Sequence, residues 1–389
     1  MLNCQKEKFT LDPDYTYLNC AYMSPNLKSV EAAGIQGVKA KSTPYHFSKD
    51  DFFTPVQEVR ELFARLINAR EPGRVAIVPS TSYGMANVAN NIHPKNKTNL
   101  VLPGETFPSN YYVWERFAER HQLQIRTVPR PKMANAAIAW NDALLEAIDE
   151  GTALLTLGQV HWADGTLFDL PALREKTTSC GAHMIIDGTQ SIGALPFDVQ
   201  AIRPDALVCA SYKYMMAPYG IGMAWYGPAF DDGVPIEDNW INRLHSDDFQ
   251  NLVNYQSQYQ GFASRYSVGE QSNFILIPML REALLQLLEW TPNRVQEYCA
   301  SISKAAVSEL QAMGCSIESA TNRGHHLFGI RPPAGFDMEK LKAELAEQRI
   351  LVSLRGDAIR VAPNVYNDAD DFARLCQSLH KVCSASILS

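Results

Sequence analysis

The chain has 389 residues, enough for a large domain and a smaller one, and at 46% hydrophobic and 20% charged it can bury a sizeable core. Its net charge of −7 argues against nucleic acid as the main partner, because phosphate backbones are held by basic surfaces. The eight cysteines are scattered, with neither a CxxC pair nor zinc-type Cys/His spacing, so reduced thiols, a cytoplasmic setting and no metal site are expected. The opening MLNCQKEKFTLDPDYTYL has no apolar export core, and no uninterrupted apolar run reaches about 18 residues, so no export signal and no membrane span are expected.

Along the chain, short apolar runs alternate with amphipathic segments. PVQEVRELFARLIN (55–68) reads as a helix, followed by strands VAIVPS (75–80) and NLVLPG (99–104). The helix NYYVWERFAERHQ (110–122) precedes the strands IRTVPR (125–130) and ALLTLGQV (153–160). DLPALREKTTSCG (169–181) reads as a helix with Asp169 as N-cap, Pro171 in its first turn and Gly181 past its end. HMIIDG (183–188), DALVCASY (205–212) and GMAWYG (222–227) complete seven strands. Most are apolar throughout, as strands covered on both faces are. This alternation predicts an α/β, doubly wound, mainly parallel sheet.

After Gly227 the pattern changes. Residues 237–273 are polar, aromatic and loop-rich, and the helix FILIPMLREALLQLLEW (274–290) links to a small α+β domain. There we expect a helix at 295–314, a strand at 325–333, a helix at 338–350, two short strands within 351–363 and a last helix at 367–382. The boundaries read as an N-terminal segment 1–20, a large domain 21–273 and a small domain 274–389.

Ligands of parallel sheets bind beyond the carboxyl ends of the strands. Asp187 ends one predicted strand, and Ser211-Tyr212-Lys213 ends the next. A buried lysine of lowered pKa can form a Schiff base with a carbonyl, and an aspartate can keep a pyridine nitrogen protonated. Together they suit pyridoxal 5′-phosphate (PLP); a surface ion pair is the plainer alternative. PSTSYGMANVA (79–89) opens a helix whose free N–H groups suit a phosphate, with Thr81 and Ser82 as the hydroxyls. Phe107, at a loop-to-helix turn, either stacks on a flat ring or packs in the core.

DGTQSIGALPFDV (187–199) followed by ASYKYMMAPYGIG (210–222) resembles the class V aminotransferase family of fold-type I PLP-dependent enzymes. That family includes cysteine desulfurases, selenocysteine lyases, kynureninases and isopenicillin N epimerases. YLNCAYMSPN (17–26), FPSN (107–110), RYSVGEQSN (265–273) and IRVAPNVYNDADD (359–371) extend the resemblance over nearly the whole chain. It implies a large domain with a mainly parallel seven-stranded sheet and a small α+β C-terminal domain. It implies that Lys213 is the Schiff-base lysine, that Asp187 partners the ring nitrogen and that Gln190 approaches the phenolic oxygen. Ser82, Ser211 and Tyr212 would surround the phosphate, and Phe107 would stack on the ring. Arg360 would grip the substrate α-carboxylate, with Arg355 as competitor and one of the two only a surface charge; Asn19 would join the substrate site. A homodimer is implied, with sites at its interface, and Gly269 and Ser272 would reach the phosphate of the neighbouring subunit.

The chain departs from the family pattern at three places. Tyr212 stands where His is frequent, Phe107 where desulfurases place His, and Trp162 where they tend to carry Asn, so Trp162 either packs or walls the pocket. No cysteine lies between Gly324 and Arg360, which argues against a persulfide-forming desulfurase. The leading expectation is therefore an aminotransferase acting on a small amino acid. A lyase or hydrolase cleaving at Cβ comes second, and a non-catalytic binding protein of the same fold third. His161 reads as a packing histidine or a proton shuttle. His325 and His326 are expected to open a strand and point to opposite faces, which does not suit a shared metal.

Overall fold

The apolar runs form one seven-stranded sheet in the computed structural model, which describes residues 2–387, and side chains through residue 383. In chain order the elements begin with β1 (Thr16–Tyr17), α1 (Lys28–Ala40), α2 (Thr54–Leu66), β2 (Val75–Val78), α3 (Thr81–Asn91), β3 (Asn99–Pro103), α4 (Pro108–His121) and β4 (Gln124–Val128). They continue with α5 (Ala137–Ala147), β5 (Thr152–Gly158), α6 (Leu170–Ser179), β6 (His183–Asp187), α7 (Val199–Ile202), β7 (Ala206–Ala210) and β8 (Gly222–Tyr226). The sheet order is β2-β8-β7-β6-β5-β3-β4. Every pairing is parallel except those of β8, which runs antiparallel to both β2 and β7. Strands β2, β3, β7 and β8 are buried along their whole length, as two covered faces require.

Local chemistry sets the helix ends nearest the site. The Ser80 hydroxyl accepts the Tyr83 N–H and caps α3, and the Asp169 carboxylate accepts from Ala172 and caps α6. Gly181 follows α6 at φ +62°, a left-handed conformation that glycine adopts without Cβ strain. Gly84 lets α3 lie close on β7: a Cβ there would come within 2.5 Å of Val208 Cγ1.

Beyond β8, residues 237–273 are irregular, with two short 3-10 turns. The chain then forms α8 (Leu276–Trp290), α9 (Pro292–Ala312), β9 (Phe328–Ile330), α10 (Met338–Glu347), β10 (Ile350–Leu351), β11 (Ser353–Arg355), β12 (Ala358–Val361) and α11 (Ala369–Ile387). Helix α8 packs on α1 and α2. Strands β11, β12 and β9 form an antiparallel sheet, and Phe328, Ile330, Ile359 and Val361 pack with Leu310, Leu341 and Leu375 from the surrounding helices. The N-terminal β1 pairs in parallel with β10, and Asn19 bridges to Ala362, so the start of the chain lies against this small sheet.

The strand expected over 325–333 is shorter than predicted. His325 and His326 precede β9 in a bend, because each His326 ring nitrogen finds a partner outside any ladder. Nε2 lies 2.7 Å from the Gln190 carbonyl and Nδ1 lies 2.8 Å from Gln296 Nε2. Burial lowers the His326 pKa to about 4, so its ring is neutral and structural.

Candidate active site

Strands β6 and β7 are parallel neighbours, with Asp187 opposite Val208. Their carboxyl ends therefore open at the same edge, and Lys213, three residues past β7, turns back toward Asp187. Both line one cleft with Thr81, Ser82, Phe107, Trp162, Gln190 and Tyr212. The sheet thus brings together residues that lie more than 130 positions apart in the chain.

Lys213 is only 6% exposed, and burial lowers its ammonium to about 8; the positive charges of Arg360 and Arg355 add to this, against the opposing pull of Asp187. Asp187 shows the complementary effect. Burial raises its carboxyl pKa, and the Thr189 N–H, donating at 3.0 Å, and Lys213 offset this only in part. A carboxylate and an amine, both costly to charge here, flank one cleft.

Thr189 was not singled out from sequence. Its hydroxyl lies 3.2 Å from Thr81 Oγ1 and accepts the Ala210 N–H at 3.1 Å, joining the start of α3 to the end of β7. A threonine two residues after a strand-ending aspartate was the available signal. Tyr219 was also missed; its ring lies 4.6 Å from that of Tyr212, and both rings line the cleft.

Phe107 stands as the residue before α4, 38% exposed into the cleft, with Lys213 Nζ 5.4 Å from its ring centre. Trp162 meets it edge to face at 5.4 Å and donates its indole N–H to the Glu105 carbonyl, so the tryptophan walls the cleft. His161 points away into the Trp140 and Phe168 rings, with Nε2 3.2 Å from the Gly104 carbonyl and Nδ1 3.5 Å from Asp164. Asp164 belongs to a buried ion cluster with Arg130 and Arg331. Gln190 donates to the Ala21 carbonyl and leaves its buried Oε1 without a partner.

Arg360 is 1% exposed on β12 and donates to the Trp162 carbonyl at 3.0 Å and to Ser353 Oγ at 3.2 Å. Ser353 in turn donates to Asn19 Oδ1 at 2.8 Å. Asn19 therefore supports Arg360 from behind. Arg360 is buried and Arg355 half-buried, and the β11–β12 pairing puts both on one face of the small sheet, beside Trp162.

Ser211, expected beside the phosphate, is turned away from the cleft. The Ser211 hydroxyl donates to the Pro218 and Ile221 carbonyls beneath the cleft, bracing the loop after Lys213. Ser272 lines a separate apolar groove with Phe47, Phe274 and Ile277, and Gly269 donates its N–H to Glu237.

The aminotransferase class-V family profile matches residues 37–376, so the chain belongs to that family. It is 25% identical over 317 residues to the uncharacterized aminotransferase YcbU of Bacillus subtilis, covering 80% of each chain. Its fold matches a lysine variant of C-DES with glycine covalently linked to the PLP cofactor, at a TM-score of 0.84, 16% identity, and 97% and 99% coverage. It also matches the Escherichia coli cysteine desulfurase CsdA, at a TM-score of 0.80, 18% identity and 98% of each chain. These likenesses bear out the expected fold-type I architecture.

PLP is the cofactor of this family, and the cleft fits it. Asp187, held above its ordinary pKa by burial, suits a protonated ring nitrogen; Lys213 is an amine eased toward its neutral form; the partnerless Gln190 Oε1 is free to meet a polar ring substituent. The N-terminus of α3, with Thr81 and Ser82, offers N–H and O–H donors to a phosphate. Among the described residues no group of His, Cys, Asp and Glu could hold a metal ion, and no helix is long and apolar enough to cross a membrane.

Proposed function

We propose that the protein is a PLP-dependent aminotransferase whose amino-acid substrate presents its α-carboxylate to Arg360. The carrying observation is Arg360 itself. It is a fully buried cation whose pKa burial lowers to about 10, its Nε has no partner, and among the described residues no carboxylate pairs with it. A buried guanidinium held by a hydroxyl and a carbonyl is short of an anion, and a carboxylate supplies one in matching fork geometry.

When bound, PLP supplies an electron sink for the bond broken at the substrate Cα. Asp187 would hold a proton on the ring nitrogen through its carboxylate. Lys213 Nζ would take the proton from the substrate Cα and deliver it to the cofactor carbon rather than back to Cα, as amino transfer requires. Phe107 cannot transfer protons, so the proton at Cα falls to Lys213, the amine that lines the cleft. Phe107 and Trp162 exclude water from the face they cover. Desulfurase chemistry would need an accessible thiolate. Cys20, close enough to influence Lys213, is instead wholly buried, with its thiol pushed up to about 11 by burial.

The purified holoenzyme, mixed with a panel of amino acids, should lose its visible absorbance, gain a near-ultraviolet band and release one equivalent of the matching 2-oxo acid. Lys213→Ala should lack the visible band and slow this half-reaction by at least about a thousandfold. Persistence of the visible band with release of a Cβ fragment would overturn the aminotransferase reading in favour of cleavage at Cβ, which draws on the same lysine.

A further inference from the structure

Arg355, the competitor of Arg360 for the α-carboxylate, is a second cation on the same face of the small sheet. Strands β11 and β12 pair Ser353 with Arg360 and Arg355 with Ala358. Ser353 and Arg355 are two residues apart on one strand, so their side chains share a face, and Arg360 lies on that face diagonally from Arg355. Their guanidinium carbons lie 5.4 and 5.8 Å from the centre of the same Trp162 ring.

Both arginines are underused. Arg355 Nη1 donates to the neighbouring Leu354 carbonyl at 2.7 Å, and among the described residues its buried Nε has no partner. Among the described residues neither arginine lies within ion-pair distance of a carboxylate, although Arg331, nearby on the same small domain, has two. Two cations brought together without a counter-charge repel one another and weaken the charging of Lys213. Such an arrangement costs stability unless a ligand with two negative groups offsets it.

We propose that the substrate is an amino dicarboxylate, with Arg360 taking the α-carboxylate and Arg355 the side-chain carboxylate across the Trp162 ring. The assignment rests on the PLP-dependent reading of Lys213 and Arg360. Arg355 then acts as the specificity residue. An acid and its amide are nearly equal in shape, so their discrimination measures the charge that Arg355 recognises.

The test compares L-aspartate with L-asparagine, and L-glutamate with L-glutamine, as donors to the wild-type holoenzyme, with kcat/KM for loss of the visible band as the readout. At least one acid should exceed its amide by about tenfold to a hundredfold, the worth of a charge-assisted bidentate contact. Arg355→Leu should shrink that ratio by at least about tenfold, and Arg355→Lys should restore part of it. Amides equal to or better than acids, or a ratio unmoved by Arg355→Leu, overturn the inference. If Arg355→Leu does not fold, the wild-type ratio decides alone. Conversion of neutral amino acids only would sink the dicarboxylate assignment and leave the PLP reading standing. No conversion of any amino acid would sink both.

Discussion

Arg360 and Ser353 face each other across β11 and β12, and the Ser353 hydroxyl that accepts from Arg360 Nη2 at 3.2 Å donates to Asn19 Oδ1 at 2.8 Å. The guanidinium is therefore aimed by the chain's own beginning. Asn19 is itself located by its parallel bridge to Ala362, just past the end of β12. Asn19, which reads from sequence as a substrate contact, reaches Arg360 through the Ser353 hydroxyl.

Ser353→Ala should raise KM for the amino acid by about twofold to tenfold, the worth of one hydrogen bond that orients a charged group, while kcat stays within about twofold. Steady-state kinetics of the holoenzyme check this. An equal fall in kcat, with KM unmoved, would show that Ser353 does not act through the aim of Arg360.

The Lys213 amine must be neutral to bond the cofactor carbonyl. Its pKa is lowered to about 8, so cofactor uptake by the apo-protein should slow about tenfold per pH unit below 8 and level off above it. Removing a nearby positive charge raises a lysine pKa, so Arg360→Leu should move the break to higher pH. The same shift sets a stability trend. Between about 8 and the ordinary lysine value of 10.5 the unfolded chain holds more protons than the folded one, so apo-protein stability gains from Lys213 as pH rises through that window. Stopped-flow reconstitution across pH checks the uptake profile, and a break unaffected by Arg360→Leu would refute the electrostatic coupling.

Gly84→Ala should destabilise the protein by about 1–3 kcal/mol, because the added methyl would meet Val208 Cγ1 at 2.5 Å and push α3 off β7. Displacing α3 moves the helix start that faces the phosphate, so PLP affinity should weaken alongside. Denaturant titration and cofactor titration read the two effects. Loss of stability with full cofactor affinity would detach the packing of Gly84 from the phosphate site.

Most strands of the large sheet were legible in the sequence because β2, β3, β7 and β8 are short apolar runs closed by turns, and full burial on both faces leaves that mark in composition alone; the edge strand β4, QIRTV, is the partly exposed exception. Helix α1 left no such mark. It carries Gly34 and Gly37, residues of poor helix propensity, because α8 comes so close that a Cβ would meet Met279 Sδ at 2.7 Å or the Phe274 carbonyl at 2.5 Å. There tertiary packing overrides local preference, which a single sequence does not display.

Asp187, Lys213, Phe107 and the Thr81-Ser82 helix start could be picked out from sequence, since each combines a chemically distinctive residue with the end of a predicted element. That pairing is a local property, written within a few residues. The sequence by itself therefore determined the α/β class, the strand runs, the acid and the lysine. Only the tertiary structure decided that Arg355 joins Arg360 over Trp162, that Thr189 ties α3 to β7, that Ser211 braces a loop and that His326 supports Gln190. Those relationships depend on strand register and on contacts between distant segments. Register is set by the energy of the whole packed sheet, and no short stretch of residues carries it.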